Sequence, residues 1–311
     1  VNASRIRGDE TRARGWGRRL VIAAPYLWLS IFFALPVLIV LKISLSQPEL
    51  AQPPYTPTFD LAAGWEGLVA FVDALSFDNF AFITSDDLYV AAVLSSMRIA
   101  ATSTLILLMV GYPMAYAMAR APAGLRGILV AAVILPFWTS FLIRVYAWIG
   151  ILKPEGLLNG FLISLGLIDT PLTILNTETA VLIGIVYTYL PFMVLPLYAT
   201  LERMDESLIE AAQDLGSTPL KAFWTITVPL SWPGIVAGSL LCFIPAVGEF
   251  VVPDLLGGSD TLMIGRILWS EFFSNRDWPL ASAVAIVMLI VLVVPIVLFR
   301  EAEARRLEEG R

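Results

Sequence analysis

Three ionisable side chains stand inside long apolar runs: Arg98, Arg144 and Glu249. An ion within a membrane span costs about 2.5–3.5 kcal/mol on insertion scales, so such residues usually face a protein interior and meet a partner or a ligand there. Two arrangements are open. Glu249 pairs with Arg144 or Arg98 as a structural ion pair, or it stays free to meet a cationic substrate. Trp138, Tyr146 and Trp148 flank Arg144. Aromatic faces attract ammonium groups, although Trp and Tyr also populate ordinary membrane interfaces. Glu249, Arg144, Trp138, Tyr146 and Arg98 are therefore the candidate pathway residues. Composition narrows the other chemistries. The chain has no His, which excludes imidazole bases and imidazole metal ligands. The single Cys242 lies in an apolar run and reads as a small packing residue. No acidic cluster lies within the spans, so neither a catalytic residue nor a metal site is expected. No G-x-x-x-x-G-K-[ST] occurs, so nothing here cradles the phosphates of ATP.

The elements that must carry these residues are apolar helices. Of 311 residues, 58% are hydrophobic and 15% charged, with a mean hydropathy of +0.79. This belongs to a polytopic membrane protein. A span needs about 20 mostly apolar residues. Six segments qualify, at 21–45, 88–118, 127–152, 179–201, 231–253 and 279–299. The expectation is an all-α, six-helix membrane bundle, with residues 21–311 as one transmembrane domain behind a basic tail at 1–20. The apolar run after that tail is too long for a signal peptide and lacks an evident small-residue cleavage site, so 21–45 reads as a retained span. Residues 156–168 are too few to cross and read as an outer-face or re-entrant helix.

Lys and Arg set the orientation. With the N-terminus inside, the cytoplasmic segments hold fourteen basic residues and the outer segments three, Lys153, Arg266 and Arg276. Both termini, the tail 300–311 and the loop 202–229 then face the cytoplasm. The outer loop at about 46–87 has no Lys or Arg and seven acids. It is either a docking surface for a soluble partner or a solvated loop. Gly234 and Gly238 form G-x-x-x-G, which permits close helix approach. The fifth span ends irregularly, through Pro245, Gly248, Glu249 and Pro253. Broken backbone at membrane depth is tolerated where protein or a water-filled cavity surrounds it, so this end is the best candidate for lining a pathway.

The loop from Glu210 to Pro229, EAAQDLGSTPLKAFWTITVP, is polar between two apolar segments. Two short helices are predicted. Ser207-x-x-Glu210 fits a capping box for the first and Gly216 fits its stop. Thr218 caps the second, with Pro219 at its first position. Leu208, Ala211, Ala212 and Leu215 fall on one side at helical spacing. Two alanines there let another protein's backbone come close.

This stretch resembles the EAA loop of permease subunits of binding-protein-dependent ABC importers: Glu210, Ala211, Ala212, Gly216, Ile226 and Pro229 stand in the motif's places, and Val228 stands where that family usually has Leu. The resemblance implies a type I importer permease fold in a bacterial inner membrane. It implies that the loop couples to a partner ATPase. Further stretches resemble the spermidine/putrescine branch: LPFWTSFLIRVYAWIGIL (135–152), YLPFMVLPLYATLERMD (189–205), GEFVVPDLLGG (248–258), and LMIGRILWSEFF with NRDWPLASAVA (262–285). Implied partners are an ATP-binding cassette dimer, which would hold ATP and Mg, a second permease subunit forming a heterodimer, and a periplasmic substrate-binding protein. This chain itself would hold no cofactor and no nucleic acid. Four rivals remain: an importer of another amine or small organic solute, an ion-coupled secondary transporter, an intramembrane enzyme, and a nonenzymatic scaffold, which would leave the EAA spacing unexplained. The second would typically need a relay of buried carboxylates or an inverted repeat. The third would usually need a His, a metal cluster or a nucleophile–base pair.

Overall fold

The computed structural model describes residues 21–58 and 64–309. The basic tail at 1–20, Asp60 of the acidic loop and Arg311 lie outside the described residues. The described chain is almost wholly helical. In order, α1 is Val21–Ser44, α2 Gly64–Asp73, α3 Asp78–Ser85, α4 Asp87–Arg120, α5 Ala123–Ile134, α6 Phe141–Leu152, α7 Leu157–Ser164, α8 Glu178–Leu201 and α9 Ser207–Asp214. Then come α10, Pro219–Leu230, with a π-helical turn at Phe223–Thr227, and α11, Trp232–Val247. The last three are α12 Val251–Leu256, α13 Ile264–Trp269 and α14 Trp278–Glu309. A two-residue antiparallel ladder joins β1, Gln47–Pro48, to β2, Tyr55–Thr56.

Three helices, α1, α4 and α8, are long and apolar enough to cross a membrane unbroken. They match the first, second and fourth expected spans. The sixth lies within α14, which continues as helix through the expected tail to Glu309. The third and fifth are broken rather than straight, the fifth at the irregular end expected for it. The third is not one helix over 127–152: α5 continues as a 3-10 turn through Trp138, and the chain then turns by 89° into α6. At about 1.5 Å per residue, Ala123–Trp138 rises roughly 24 Å, short of a hydrocarbon core of about 30 Å. The break has a local cause. Thr139 donates both its N–H (3.3 Å) and its hydroxyl (2.8 Å) to the Pro136 carbonyl, closing the turn. Thr139 and Ser140 are then extended. The fifth span ends at Val247, and α10 meets α11 at Ser231 with a 64° bend. Pro233 has no N–H to give the Pro229 carbonyl, which loosens the helix there.

The chain packs as two compact units. One comprises the described residues up to Ser85 and those from Glu271 onward; the other is Asp86–Ser270. In the first, α1 packs along α14, as does α3. Asn79 Nδ2 donates to the carbonyls of Ser44 (2.9 Å) and Ser46 (2.8 Å), closing the end of α1. Asp277 accepts the Leu280 N–H at the start of α14 (3.0 Å). Burial pushes its carboxyl up, against that hydrogen bond.

The core of the second unit is the packing of α4, α8 and α11. Ile99, Leu107, Ile185, Met193, Leu197 and Cys242 are fully buried in it. The predicted close approach through G-x-x-x-G is present. A Cβ on Gly234 would stand 2.6 Å from Thr200 Oγ1 and 3.0 Å from the Pro196 carbonyl. One on Gly238 would stand 2.9 Å from Met193 Sδ. Outside this core the helices present apolar surface: Leu27, Trp28, Phe32 and Phe33 of α1 are all exposed, as a lipid-facing helix requires. The short helix expected within 156–168 is α7; Leu157 and Phe161 are exposed on it. Asn159 is buried and exchanges hydrogen bonds with the Leu172 backbone (2.9 and 2.8 Å).

Candidate functional site

The loop between α8 and α11 folds as predicted in outline. Its entry differs. Ser207 is the first helical residue of α9 rather than its cap; Glu206 before it has helical backbone and no side-chain cap, and the Asp205 carboxylate accepts the Ser207 N–H (3.0 Å). That backbone hydrogen bond, then the Ser207 side chain, holds the Asp205 carboxyl below the usual range. Ser207-x-x-Glu210 therefore does not form the capping box: Ser207 already has helical backbone, and an N-cap must not. The exit is as expected. Gly216 takes φ +83°. Its N–H bonds to the Gln213 carbonyl (2.8 Å) and that of Ser217 to the Ala212 carbonyl (2.9 Å), the paired closure of a Schellman stop. Thr218 Oγ1 then accepts the Lys221 N–H (3.3 Å), with Pro219 at the first position of α10.

Glu210, Ala211, Gly216 and Pro229 are exposed, and Ala212 and Ile226 are half-buried. Beside them is an uncovered apolar face: Leu215 is 90% exposed, and Leu208, Leu220 and Trp224 are also exposed. Other residues of the loop and its flanks make contacts to the bundle. Arg120, at the end of α4, pairs with Glu206 at the entry of α9. Arg126 reaches Glu202 (3.7 Å), which also accepts the Tyr198 hydroxyl (2.7 Å). Phe223 stands edge-on to Tyr112 (5.6 Å) and Tyr116 (5.8 Å) of α4.

The five pathway candidates do not converge. Glu249 pairs with neither Arg144 nor Arg98, which corrects that expectation. It is buried and sits in the break between α11 and α12. One carboxylate oxygen accepts the Tyr189 hydroxyl (2.7 Å); the other accepts the N–H groups of Val251 (3.1 Å) and Val252 (3.4 Å). Arg98 pairs with Glu178 at the start of α8 (2.5 Å), and both side chains are substantially exposed. Arg144 lies over the rings of Phe137 (5.0 Å) and Phe141 (5.8 Å), and its buried Nε has no hydrogen-bond partner. Trp138 (81%) and Tyr146 (58%) are exposed. Trp148, by contrast, packs edge-on to Tyr187 (5.4 Å). Sequence reasoning missed Tyr112, Phe223, Ser231 and the two arginine pairs. The only available signal was the i, i+4 spacing of Tyr112 and Tyr116 beneath an aromatic-bearing loop.

Known proteins place this arrangement. Residues 108–308 match the family described as binding-protein-dependent transport system inner membrane component. The chain is 38% identical over 285 residues to the spermidine/putrescine transport system permease protein PotB of Haemophilus influenzae, covering 92% of this chain and 93% of that protein. It is 42% identical over 248 residues to PotB of Escherichia coli K12, covering 74% of this chain and 90% of that protein. A solved bacterial ABC transporter involved in the import of the acidic polysaccharide alginate superposes with a TM-score of 0.68 at 19% identity, over 96% of this chain and 99% of that one. That likeness is one of fold alone. With the capped loop and the broken apolar helices already described, these matches make the chain a member of the binding-protein-dependent transport system inner membrane components, the permease subunits of ABC importers.

Proposed function

We propose that this permease subunit imports a polyamine such as putrescine or spermidine. The PotB proteins, at 38–42% identity over most of the chain, support that substrate class. The molybdenum transport system permease protein ModB of Azotobacter vinelandii stands further off, at 30% over 220 residues. The partners would be a second permease subunit, two ATP-binding subunits and a soluble substrate-binding protein. Both termini would lie in the cytoplasm, in line with the excess of Lys and Arg in the segments assigned there.

The observation that carries the coupling role is the uncovered face of Leu208, Leu215, Leu220 and Trp224 on a rigidly capped pair of short helices. Such a face beside charged residues, in a loop too polar for lipid, suits a protein groove. ATP-driven closure of the ATP-binding subunits would displace the loop, tilt the helices and open the bundle outward. Inverting a two-state bundle from 1:99 to 99:1 takes about 5.5 kcal/mol of differential binding, which nucleotide binding at a partner can supply. Glu210 would anchor the loop on the partner and Gly216 would permit its turn, with Ala211, Ala212, Ile226 and Pro229 shaping the surface.

Within the bundle, Glu249 is the strongest pathway residue, because it is an acid at a backbone break beside the tyrosine that holds it. Arg144, Arg98, Trp138 and Tyr146 would act away from Glu249. Glu210→Arg in the assembled transporter tests the coupling role. The expected result is loss of binding to the ATP-binding subunits or hydrolysis without uptake. Normal uptake by this variant contradicts it.

A further inference from the structure

The bend between α10 and α11 is fastened to α4 by side chains that the EAA pattern does not include. Ser231 is the residue of the bend and is fully buried. Its hydroxyl donates to the Val228 carbonyl (3.0 Å). The Ser231 and Tyr112 hydroxyls are hydrogen-bonded to each other (Oγ to Oη 2.8 Å). Tyr112 lies directly before Pro113, the proline inside α4, where the helix lacks a hydrogen bond to the Met109 carbonyl. The same tyrosine ring meets Phe223 at 89°, and Tyr116, one turn on, meets it at 88°. Phe223 opens the π-helical turn of α10: the Val228 N–H reaches back to the Phe223 carbonyl. Widened turns of this kind occur frequently at functional sites.

Holding a bend in place does not require this chemistry. An apolar pair would fill the same space with no polar group to satisfy. A buried hydroxyl pair, and two rings at right angles to a third, fix direction as well as distance. The weak point of α4 and the bend of the coupling segment are thereby joined at one residue. We propose that Tyr112 is a positioning residue of the transport cycle: through Ser231 and Phe223 it clamps the α10–α11 bend to α4, so that displacement of the coupling loop is carried into α4 instead of being absorbed at the bend. This rests on the importer reading above.

The test uses the full complex in proteoliposomes, with the ATP-binding subunits, the second permease and the loaded binding protein. Uptake of labelled putrescine and spermidine and hydrolysis of ATP are measured on the same preparation for wild type, Tyr112→Phe, Ser231→Ala and the double variant. Tyr112→Phe keeps the ring and loses only the hydroxyl, so the packing on Phe223 remains. The expected result is a fall of about 2- to 10-fold in substrate moved per ATP hydrolysed, the range that one hydrogen bond covers. The double variant should be no worse than the worse single one, as for two ends of one contact. A ratio that stays at the wild-type value overturns the proposal. So does a parallel loss of uptake, hydrolysis and assembled complex at constant ratio, since the bond would then only hold the fold. Wild-type uptake that ignores ATP would instead remove the importer reading, so the two failures are distinguishable.

Discussion

The bend at Ser231 and the corner at Thr139–Ser140 turn the chain by 64° and 89°, but their surroundings are opposite. Ser231 is enclosed, bonded to Tyr112 and followed by Gly234, which sits against α8 with no room for a side chain. At the corner, Thr139 and Ser140 are exposed, Trp138 is bare, and the hydrogen bonds of Thr139 stay within its own turn. A bend wired to a neighbouring helix cannot flex without moving that helix. A bend satisfied by its own backbone can be a fixed corner at the membrane interface, where Trp and Tyr settle. On the proposal above the first would transmit displacement, while the second is closed within its own turn.

Substitutions at the two bends should therefore differ sharply. The largest effect is expected for Gly234→Val. Its added atoms collide with Thr200 and the Pro196 backbone, and such overpacking costs about 1–3 kcal/mol or more. A lowered melting temperature and yield of the purified complex would show it; wild-type values would mean that α8 and α11 separate more freely than the structure implies. Gly216→Val comes next. It forces a β-branched residue to φ +83°, at about 1–2 kcal/mol, and the cost falls on the loop. Hydrogen exchange should quicken at Gly216 and Ser217 while the bend at Ser231 keeps its protection. Equal loss at both would mean that the loop and the bend are one cooperative element.

A smaller, pH-dependent effect is expected at Asp205. Its folded pKa lies below the unfolded value of about 3.9. Its contribution to α9 is thus complete above that value and lost as pH falls through the folded one. Asp205→Ala should speed exchange of the first α9 amides between pH 5 and 8, and the difference from wild type should vanish in strong acid. A difference that persists in acid would mean that capping is not by the carboxylate. The smallest effect is expected for Trp138→Ala. An exposed side chain away from caps and packing changes stability within about 0.5 kcal/mol. A large loss of stability or uptake would show that the bare corner has a protein neighbour or a role in the pathway.

What could be read from the residues was what is determined locally. Gly216 and Thr218–Pro219 mark a stop and a start whose partners lie within four residues, and both stand as predicted. Four of the six apolar runs became unbroken helices for the same reason. Asp205 was overlooked because the capping-box spacing of Ser207 and Glu210 is satisfied in sequence, while in the fold the Ser207 N–H goes to the carboxylate two residues earlier. The break at 139–140 carried a signal, Pro136 followed by two hydroxyl residues in an apolar run, which length and hydropathy overrode. The long-range partners of Glu249 and Arg98 were not legible at all. Tyr189 and Glu178 become neighbours only through the packing of α8 against α4, α11 and α12, and apolar periodicity does not state which faces meet. Tyr112 and Ser231, 119 residues apart, were hidden in the same way.

The most direct test of the central claim is uptake of labelled putrescine and spermidine by the reconstituted complex, with and without ATP. The account predicts uptake that requires both ATP and the binding protein. Uptake of another solute under those conditions would keep the importer and discard the polyamine assignment. Polyamine uptake that proceeds without ATP would contradict the account built on the loop from Glu210 to Pro229.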